Sequence, residues 1–217
     1  DVAFIRKRLK KEGLDNNSNL ILIDLICNGP TTNEVGEQFI EFLEKKYNSK
    51  IKFYSARYKN PNWKPPYLYV EFENGKVYCE KLYRTDFGIA LSLMLREGCY
   101  KCQLRGANRQ SDLTIGDFWG IEEGCDNYNK MGVSVIASHT DRGVLFLESM
   151  DEIELFEVDE KKAMLANPRY STPAPIPEKH PKFVRDFEKY GLHKACLRSL
   201  NLKQKITYCV RAFLHMR

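Results

Sequence analysis

Residues 99–120 read CYKCQLRGANRQSDLTIGDFWG, and this stretch says most about how the chain folds and what chemistry it carries. Its apolar part, Leu113–Phe118, has the length of a buried strand. Asp112 stands before this segment and Asp117 stands near its end. Gly116 allows a ligand or another backbone to approach closely. We therefore predict a short strand with polar groups at both of its ends.

The side chains around this strand suit a phosphate-bearing aromatic cofactor. Arg105 and Arg109 offer contacts to an anion, and Phe118 and Trp119 offer an aromatic wall. The alternative is that the aromatic pair only closes a buried strand. The residues alone leave both interpretations open.

Cys99 and Cys102 form a CxxC motif, a spacing that brings two thiolates together. A thioredoxin-type redox pair lies at a helix N-terminus directly after a strand, whereas this motif follows a predicted helix and a glycine. A structural zinc site usually needs a second CxxC or a histidine pair, and the sequence has neither. An iron–sulfur cluster accepts thiolates from distant loops, and Cys27, at a strand end, is the natural distant ligand. Two incidental loop thiols are the fourth interpretation.

The other four cysteines are predicted to have different roles. Cys79, Cys196 and Cys209 fall in regular elements, and we expect each to be a small buried hydrophobic residue. Cys125 lies in a polar loop, where it is either a further ligand or uninvolved. The total of seven is odd and no secretory signal is present, so reduced thiols or metal ligands are expected rather than disulfides.

Helices and strands alternate along the chain, which predicts an α/β fold of the mixed α+β kind. The expected architecture is a mixed β-sheet covered by helices, with a C-terminal helical appendix. The predicted strands are Leu20–Ile26, Ile51–Tyr58, Tyr67–Phe72, Lys76–Glu80, Leu113–Phe118, Val133–Ala137 and Ile153–Val158. The predicted helices are Val2–Glu12, one after Thr32, Asp86–Leu95, Thr140–Met150 and one from Glu160, and the rest of the chain, Phe183–Arg217, is predicted to be helical.

A proline-rich segment suggests where this domain ends. Residues 167–181 contain five prolines, which predict an extended crossing at the surface. The predicted limits are therefore a domain over 1–166, a crossing over 167–181 and a helical appendix over 182–217.

Composition excludes several classes of protein. Hydrophobic residues make up 43% and charged residues 29%, as in globular proteins. The net charge of +5 is too small an excess to indicate nucleic-acid binding. No apolar run reaches the ~20 residues of a spanning helix, and no signal peptide is seen, so we expect a cytoplasmic protein. No Ser–His–Asp spacing or Gly-rich phosphate loop indicates a hydrolase, and His139 is assigned no catalytic role.

The C-terminal segment, 202–217, is predicted to be a basic amphipathic helix. Its basic residues are Lys203, Lys205, Arg211 and Arg217, and its apolar residues are Leu202, Ile206, Val210, Phe213 and Leu214. Such a helix can make a peripheral contact with the inner face of an anionic membrane. Its apolar face can instead dock on the domain or on a second subunit of a homo-oligomer.

The 99–120 stretch closely resembles the C-terminal region of the coenzyme F-420 hydrogenase/dehydrogenase beta-subunit family. That family carries the pattern CYxCxxKGxxRxSDITxGDFWG, which the chain matches almost throughout, with Arg105 where lysine is usual. Ile26-Cys27-Asn28-Gly29 resembles the family's Ile-Cys-His-Gly strand end, and residues 130–134 resemble the start of its KGVS strand. The resemblance spans roughly residues 1–190.

This resemblance implies an iron–sulfur flavoprotein that binds FAD and a 4Fe–4S cluster. Such a protein passes electrons between the cluster and a hydride carrier such as the deazaflavin coenzyme, with the flavin between them. By position, the resemblance implies cluster ligands at Cys27, Cys99 and Cys102. It also implies a neighbouring cofactor wall formed by Arg105, Arg109, Asp112, Gly116, Asp117 and Trp119.

The resemblance also shapes what we expect of the whole protein. Family members begin with a ferredoxin-like domain and carry a GTPC segment just before the helix that Val2–Leu9 matches. We therefore expect a fragment or a truncated member, with a ferredoxin-like domain or a redox partner protein as its partner. Many bacterial relatives are encoded beside transferases of surface-polysaccharide assembly, which suggests redox tailoring of a glycan precursor. The alternative is a non-catalytic interaction module that kept the fold without the cofactors.

Overall fold

A computed structural model of the chain describes residues 2–15 and 19–214. The chain divides into two compact units. The first unit comprises residues 1–28 and 101–174, and the second comprises residues 29–100 and 175–217. The domain limits predicted from the sequence, 1–166, 167–181 and 182–217, stay a prediction.

Helices and strands interleave in the described residues. The helices are α1 (Val2–Lys11), α2 (Asn33–Tyr47), α3 (Asp86–Leu93), α4 (Glu97–Tyr100), α5 (Asp141–Glu148), α6 (Glu160–Ala166), α7 (His180–Tyr190), α8 (Leu192–Ser199) and α9 (Leu202–Leu214). The strands are β1 (Ile23–Leu25), β2 (Ile51–Tyr58), β3 (Tyr67–Phe72), β4 (Val77–Lys81), β5 (Leu113–Asp117) and β6 (Ser134–Ser138). Short 3-10 helices cover Leu82–Arg84, Gly106–Asn108 and Pro168–Tyr170.

The first unit contains a three-stranded mixed sheet in the order β1-β5-β6. β1 runs parallel to β5 and places Asp24 opposite Thr114. β6 runs antiparallel to β5 and places Ser134 opposite Asp117. The sheet therefore has an amino edge, where β1 and β5 begin, and a carboxyl edge, where they end at Leu25 and Asp117.

Two glycines let other groups pack closely on this sheet. A Cβ on Gly116 would lie 2.9 Å from the Cβ of Ile26, so the Ile26 side chain occupies the space beside the strand. A Cβ on Gly143 would lie 2.6 Å from the backbone oxygen of Asp112, so the first turn of α5 packs directly on the start of β5. Thr140 caps this helix, because its hydroxyl accepts a hydrogen bond from the Gly143 amide.

The second unit is built on an antiparallel sheet in the order β2-β3-β4. The turn between β3 and β4 places Gly75 at φ +79°, a conformation that glycine adopts without strain. Alternate residues of β3 are buried against an apolar core that also contains one face of α2 and parts of α7 and α8. Buried members of this core include Val35, Phe39, Leu43, Leu68, Val70, Phe72, Phe183 and Phe187.

The mixed α/β architecture predicted from the sequence is confirmed, with helices in the C-terminal region. Three element predictions are wrong in detail. The strand at Ile153–Val158 does not form, and the apolar side chains of Leu155, Phe156 and Val158 are exposed. The predicted strand over 20–26 is reduced to Ile23–Leu25. The loop predicted over 99–109 contains the end of α4 and a 3-10 helix.

The segment from Phe183 is helical as predicted, and it consists of three helices, α7, α8 and α9. Gly191, at φ +77°, separates the first two. Of the predicted amphipathic helix, residues 215–217 and the side chains of residues 211–214 lie outside the described part of the chain. None of the helices in the described residues is long and apolar enough to cross a membrane.

Candidate functional site

The three predicted cluster ligands are distributed over both units. Cys27 follows β1 at the carboxyl edge of the first unit and is exposed, whereas Cys102 is half-buried in the same unit. Cys99 lies in α4 of the second unit, where its side chain packs against the backbone of Gly29. The boundary between the units therefore passes through the CxxC motif.

The chemistry of this donor set fits an iron–sulfur cluster, because such clusters are held by cysteine thiolates and none of these three cysteines is fully buried. Among residues 2–15 and 19–214, no group of three or more His, Cys, Asp or Glu side chains is placed to hold a metal ion. The cluster at Cys27, Cys99 and Cys102 therefore stays a prediction.

Of the remaining cysteines, Cys196 is buried, as predicted for a small hydrophobic residue. Cys79 is half-buried in β4. Cys209 is exposed on α9, so its predicted burial is wrong. Cys125 is also exposed.

The residues of the predicted cofactor wall do not form one surface. Asp112 lies at the amino edge of the sheet, whereas Asp117 lies at the carboxyl edge and Trp119 follows it. Gly116 is covered by a side chain of the chain itself, as described above. Trp119 is 39% exposed and offers an aromatic surface beyond the carboxyl edge.

Arg105 precedes the 3-10 helix at Gly106–Asn108 and is half-buried. Its Nη1 is buried and has no hydrogen-bond partner among the described residues. A buried guanidinium nitrogen without a partner is unusual, because desolvation of a charged donor costs free energy that only a hydrogen bond offsets. Arg105 therefore stays a predicted cofactor-binding residue, with a charged donor for which the described residues supply no partner.

Asp112 connects four segments of the first unit and is fully buried. Its Oδ2 accepts a hydrogen bond from the amide of Leu22, at 2.8 Å. Its Oδ1 accepts bonds from Arg6 Nη2 at 3.2 Å, from Thr140 Oγ1 at 2.9 Å and from Arg142 Nη2 at 2.9 Å. The protein thus supplies four donors to the carboxylate. Two of them belong to the guanidinium groups of Arg6 and Arg142, which both bond to Oδ1.

Burial by itself raises the pKa of the Asp112 carboxyl. The opposing hydrogen bonds, from the Leu22 amide and from Arg142, Thr140 and Arg6, together prevail and hold its pKa below the ordinary value. Asp112 is therefore a carboxylate at neutral pH.

A second polar network surrounds the Asp24–Thr114 pair of the sheet. Thr114 donates its hydroxyl hydrogen to Asp24 Oδ1, and Arg109 Nη1 donates to the same oxygen at 2.8 Å. His139 Nε2 lies 2.8 Å from the Thr114 hydroxyl oxygen. The guanidinium carbon of Arg109 lies 4.9 Å from the centre of the Tyr170 ring.

The hydrogen bonds of this network determine which ring nitrogen of His139 carries a hydrogen. Because the single hydroxyl hydrogen of Thr114 points to Asp24, His139 Nε2 must carry a hydrogen and donate it. The neutral ring then has an unprotonated Nδ1. Burial and the positive charge of Arg109 lower the pKa of His139, and the charge of Asp24 opposes this only in part.

Both networks border an open cleft of about 1020 Å³ in the first unit, which we call the amino-edge cleft. Its basic lining residues are Arg6, Lys10, Arg109 and Arg142, and His139 also lines it. Ile21, Leu145 and Phe146 form an apolar part of its wall. The cleft therefore combines positive charge with a surface for an apolar group.

Sequence reasoning found Arg109 and Asp112 but missed the other residues of this cleft. No spacing rule indicates a role for His139, Arg6 or Arg142, because their hydrogen-bond partners are distant in the sequence. The one available signal was Asp24, a charged residue inside an apolar strand, because such a residue needs buried partners.

Comparison with known proteins identifies one family. The family model that matches residues 1–163 of the chain is described as the carboxy terminus of the coenzyme F420 hydrogenase/dehydrogenase beta subunit. No curated protein and no solved structure gives a significant match.

Proposed function

Because the chain belongs to the coenzyme F420 hydrogenase/dehydrogenase beta-subunit family and matches its carboxy-terminal part, we propose that it is the redox domain of an iron–sulfur flavoprotein. In this proposal the protein moves electrons between a 4Fe–4S cluster, FAD and a hydride-carrying cofactor or substrate. The family match over residues 1–163 is the observation that carries the proposal. The specific 99–120 motif lies inside the matched range.

Cys27, Cys99 and Cys102 are proposed to hold the cluster. When bound, the cluster supplies single-electron transfer, and the flavin converts between single electrons and a hydride. The parallel strands β1 and β5 support a cofactor site at the carboxyl edge, since ligands of open parallel sheets bind beyond the carboxyl ends of the strands. That edge carries Cys27 and Asp117, with Trp119 beyond it.

Two residues of the predicted cofactor wall, Arg105 and Trp119, would bind and orient the flavin. Arg105 offers a buried guanidinium nitrogen to a phosphate, and Trp119 offers a ring face to an aromatic system. Asp112 acts indirectly, because all its hydrogen bonds go to the protein and hold Arg6 and Arg142.

The partner in this proposal is a redox protein or a ferredoxin-like domain that delivers or accepts single electrons. The pathway in the proposal is redox tailoring of a surface-polysaccharide precursor. A peripheral membrane contact through 202–217 is compatible with α9, whose Leu202, Ile206 and Val210 are exposed at intervals of four residues.

The test is an absorption spectrum with iron and flavin assays on protein purified without oxygen and reconstituted with iron, sulfide and FAD. We expect a brown sample with flavin bands that dithionite bleaches. Cys27→Ser and Cys102→Ser should each lower the bound iron severalfold. The matched control is Cys209→Ser, which removes an exposed thiol far along the chain and should retain the iron.

A sample that stays colourless after reconstitution would overturn the proposal. It would favour the alternative of an interaction module without cofactors. Equal iron loss in Cys209→Ser and Cys27→Ser would show that the iron is bound adventitiously to exposed thiols.

A further inference from the structure

We propose that the amino-edge cleft of the first unit binds a phosphorylated organic ligand of the nucleoside diphosphate type. The site is formed by Arg6, Lys10, Arg109, Arg142 and His139. It lies at the amino edge of the sheet, whereas the predicted ligand Cys27 lies at the carboxyl edge. The inference therefore does not depend on the proposed redox function.

The lining of the cleft carries a net positive charge. Arg6 and Arg142 both bond to Oδ1 of Asp112, so two positive groups share one buried negative charge. Lys10 adds a further positive charge to the lining, and Asp15 offsets only one of these charges. The sum is a net positive surface that a phosphoryl group can neutralise.

Arg109, which also lines the cleft, has a side-chain donor without a hydrogen-bond partner among the described residues. Arg109 is 9% exposed, and its Nη1 is used by Asp24. Its Nε is buried and makes no hydrogen bond to any described residue. Because Nε itself is not exposed, an anion in the cleft would act on Arg109 through the positive charge of its guanidinium group.

His139 lines the cleft beside these cations. Its Nε2 is bonded to Thr114, so Nδ1 is the ring nitrogen that this hydrogen bond leaves available. An unprotonated Nδ1 accepts a hydrogen bond from a ligand hydroxyl or from a protonated phosphate oxygen. The arrangement thus offers donors to an anion and one acceptor beside them.

The size and walls of the cleft select the kind of anion. A cleft of about 1020 Å³ is far larger than inorganic phosphate needs, and lies at the upper end of ordinary ligand sites. Ile21, Leu145 and Phe146 give it an apolar wall suited to a ring. A diphosphate ester with a ring therefore matches both the basic and the apolar parts of the lining. A bare anion contacts only the basic part.

The experiment is isothermal titration of the full chain, without added iron or FAD, with ADP, adenosine and inorganic pyrophosphate as separate probes. We expect saturable binding of ADP at one site and weaker binding of each partial probe. Lys10→Gln should weaken ADP binding about three- to tenfold, since it removes one exposed charge contact. Lys161→Gln is the matched control, because it removes an exposed lysine of the same unit outside the cleft and should leave affinity unchanged.

A second variant protects the test from a folding defect. His139→Gln keeps an amide donor for Thr114 but lacks the ring nitrogen that meets the ligand. It should fold and bind ADP more weakly. The proposal is overturned if ADP does not bind saturably, if Lys10→Gln and Lys161→Gln behave alike, or if pyrophosphate binds as tightly as ADP.

One further arm identifies the source of the diphosphate. ADP and FAD share a nucleoside diphosphate, so both are candidates for the cleft. If FAD displaces ADP, the cleft is the site of the proposed cofactor, and the proposal of a further ligand is overturned. If both bind together, the cleft serves a separate nucleotide ligand, and the proposal is supported. The second result does not require that the redox proposal be correct.

Discussion

Arg142 Nη2 donates a 2.9 Å hydrogen bond to Oδ1 of Asp112, the same oxygen that Arg6 reaches from α1. Asp112 belongs to the 99–120 motif, yet the structure uses its carboxylate inside the protein. Its contribution is to bring two guanidinium groups from distant segments to the amino-edge cleft. A motif residue can thus shape the charge of a cleft through its hydrogen bonds to other side chains.

Asp112→Asn should lower the stability of the first unit by about 3 kcal/mol, since it leaves Arg6 and Arg142 near a buried neutral group. The pKa of Asp112 is lowered by folding, so its contribution is present above the ordinary carboxyl pKa and is lost as pH falls through the folded value. Urea unfolding from pH 7 down to pH 3 should therefore show the gap between wild type and variant closing in acid.

Asp151→Asn is the control for this prediction, because Asp151 is exposed in the same unit. It should change stability by less than about 0.5 kcal/mol. A gap between wild type and Asp112→Asn that persists unchanged at pH 3 would contradict the assigned charge network.

The sequence predicted most of the local structure and little of the cleft. Strands such as Ile51–Tyr58 follow from apolar periodicity, which depends only on neighbouring residues. The strand predicted over 153–158 failed because alternation cannot show whether a second strand is present to pair with it. Contacts such as Arg6 to Asp112 join residues 106 positions apart, and no spacing rule reveals them.

The same limit applies to the predicted cofactor wall. Asp112 and Asp117 are neighbours in the motif, but a strand of five residues places them at opposite edges of the sheet. Proximity along the sequence therefore does not place the two carboxyl groups at the same end of the strand.

The pKa of His139 should lie below the ordinary histidine value and should respond to its two charged neighbours in opposite directions. Asp24→Asn should lower the pKa further, since it removes the negative charge that favours the imidazolium. Arg109→Gln should raise it, since it removes a repelling positive charge. Titration of the imidazole signals by NMR measures all three values, and ¹⁵N shifts should show the hydrogen on Nε2 of the wild-type ring.

The lowered pKa of His139 also makes the free energy of unfolding depend on pH. Because folding lowers the pKa of His139, protonation favours the unfolded chain, and this residue's contribution falls as pH drops below the ordinary histidine value. His139→Gln should reduce the pH dependence of unfolding in that range. An unchanged slope would show that His139 does not titrate differently in the two states.

Tyr208 should attach α9 to the second unit through a short hydrogen bond. Its hydroxyl donates to Oδ1 of the buried Asp86 at 2.6 Å, and His193 Nδ1 lies 2.8 Å from the other oxygen. Tyr208→Phe should cost about 1.5–3 kcal/mol, the usual range for a hydrogen bond to a charged group. Hydrogen exchange of the α9 amides should accelerate more than exchange in α2.

The control for this prediction is Tyr83→Phe, which removes the hydroxyl of an exposed tyrosine. It should leave the exchange of α9 unchanged. If both variants behave alike, the Asp86 contact does not hold the helix.

Thiol alkylation should divide the cysteines by burial before any cofactor is added. Cys196 is fully buried, and burial beside Asp86 raises the pKa of its thiol, so it should resist iodoacetamide in the folded protein. Cys27 and Cys209 are both exposed and should react quickly. Mass spectrometry of the labelled peptides measures each rate.

Reconstitution with iron and sulfide then separates these two exposed thiols. If Cys27 is a cluster ligand, its labelling should slow at least about tenfold, because a coordinated thiolate is no longer a free nucleophile. Cys209 should keep its rate, since it lies on α9 and is not a predicted ligand. Protection of Cys27, Cys99 and Cys102 together, with Cys209 unprotected, would identify the ligand set directly. Equal protection of Cys27 and Cys209 would instead indicate nonspecific deposition of iron, and the cluster assignment would fail even if the sample were coloured.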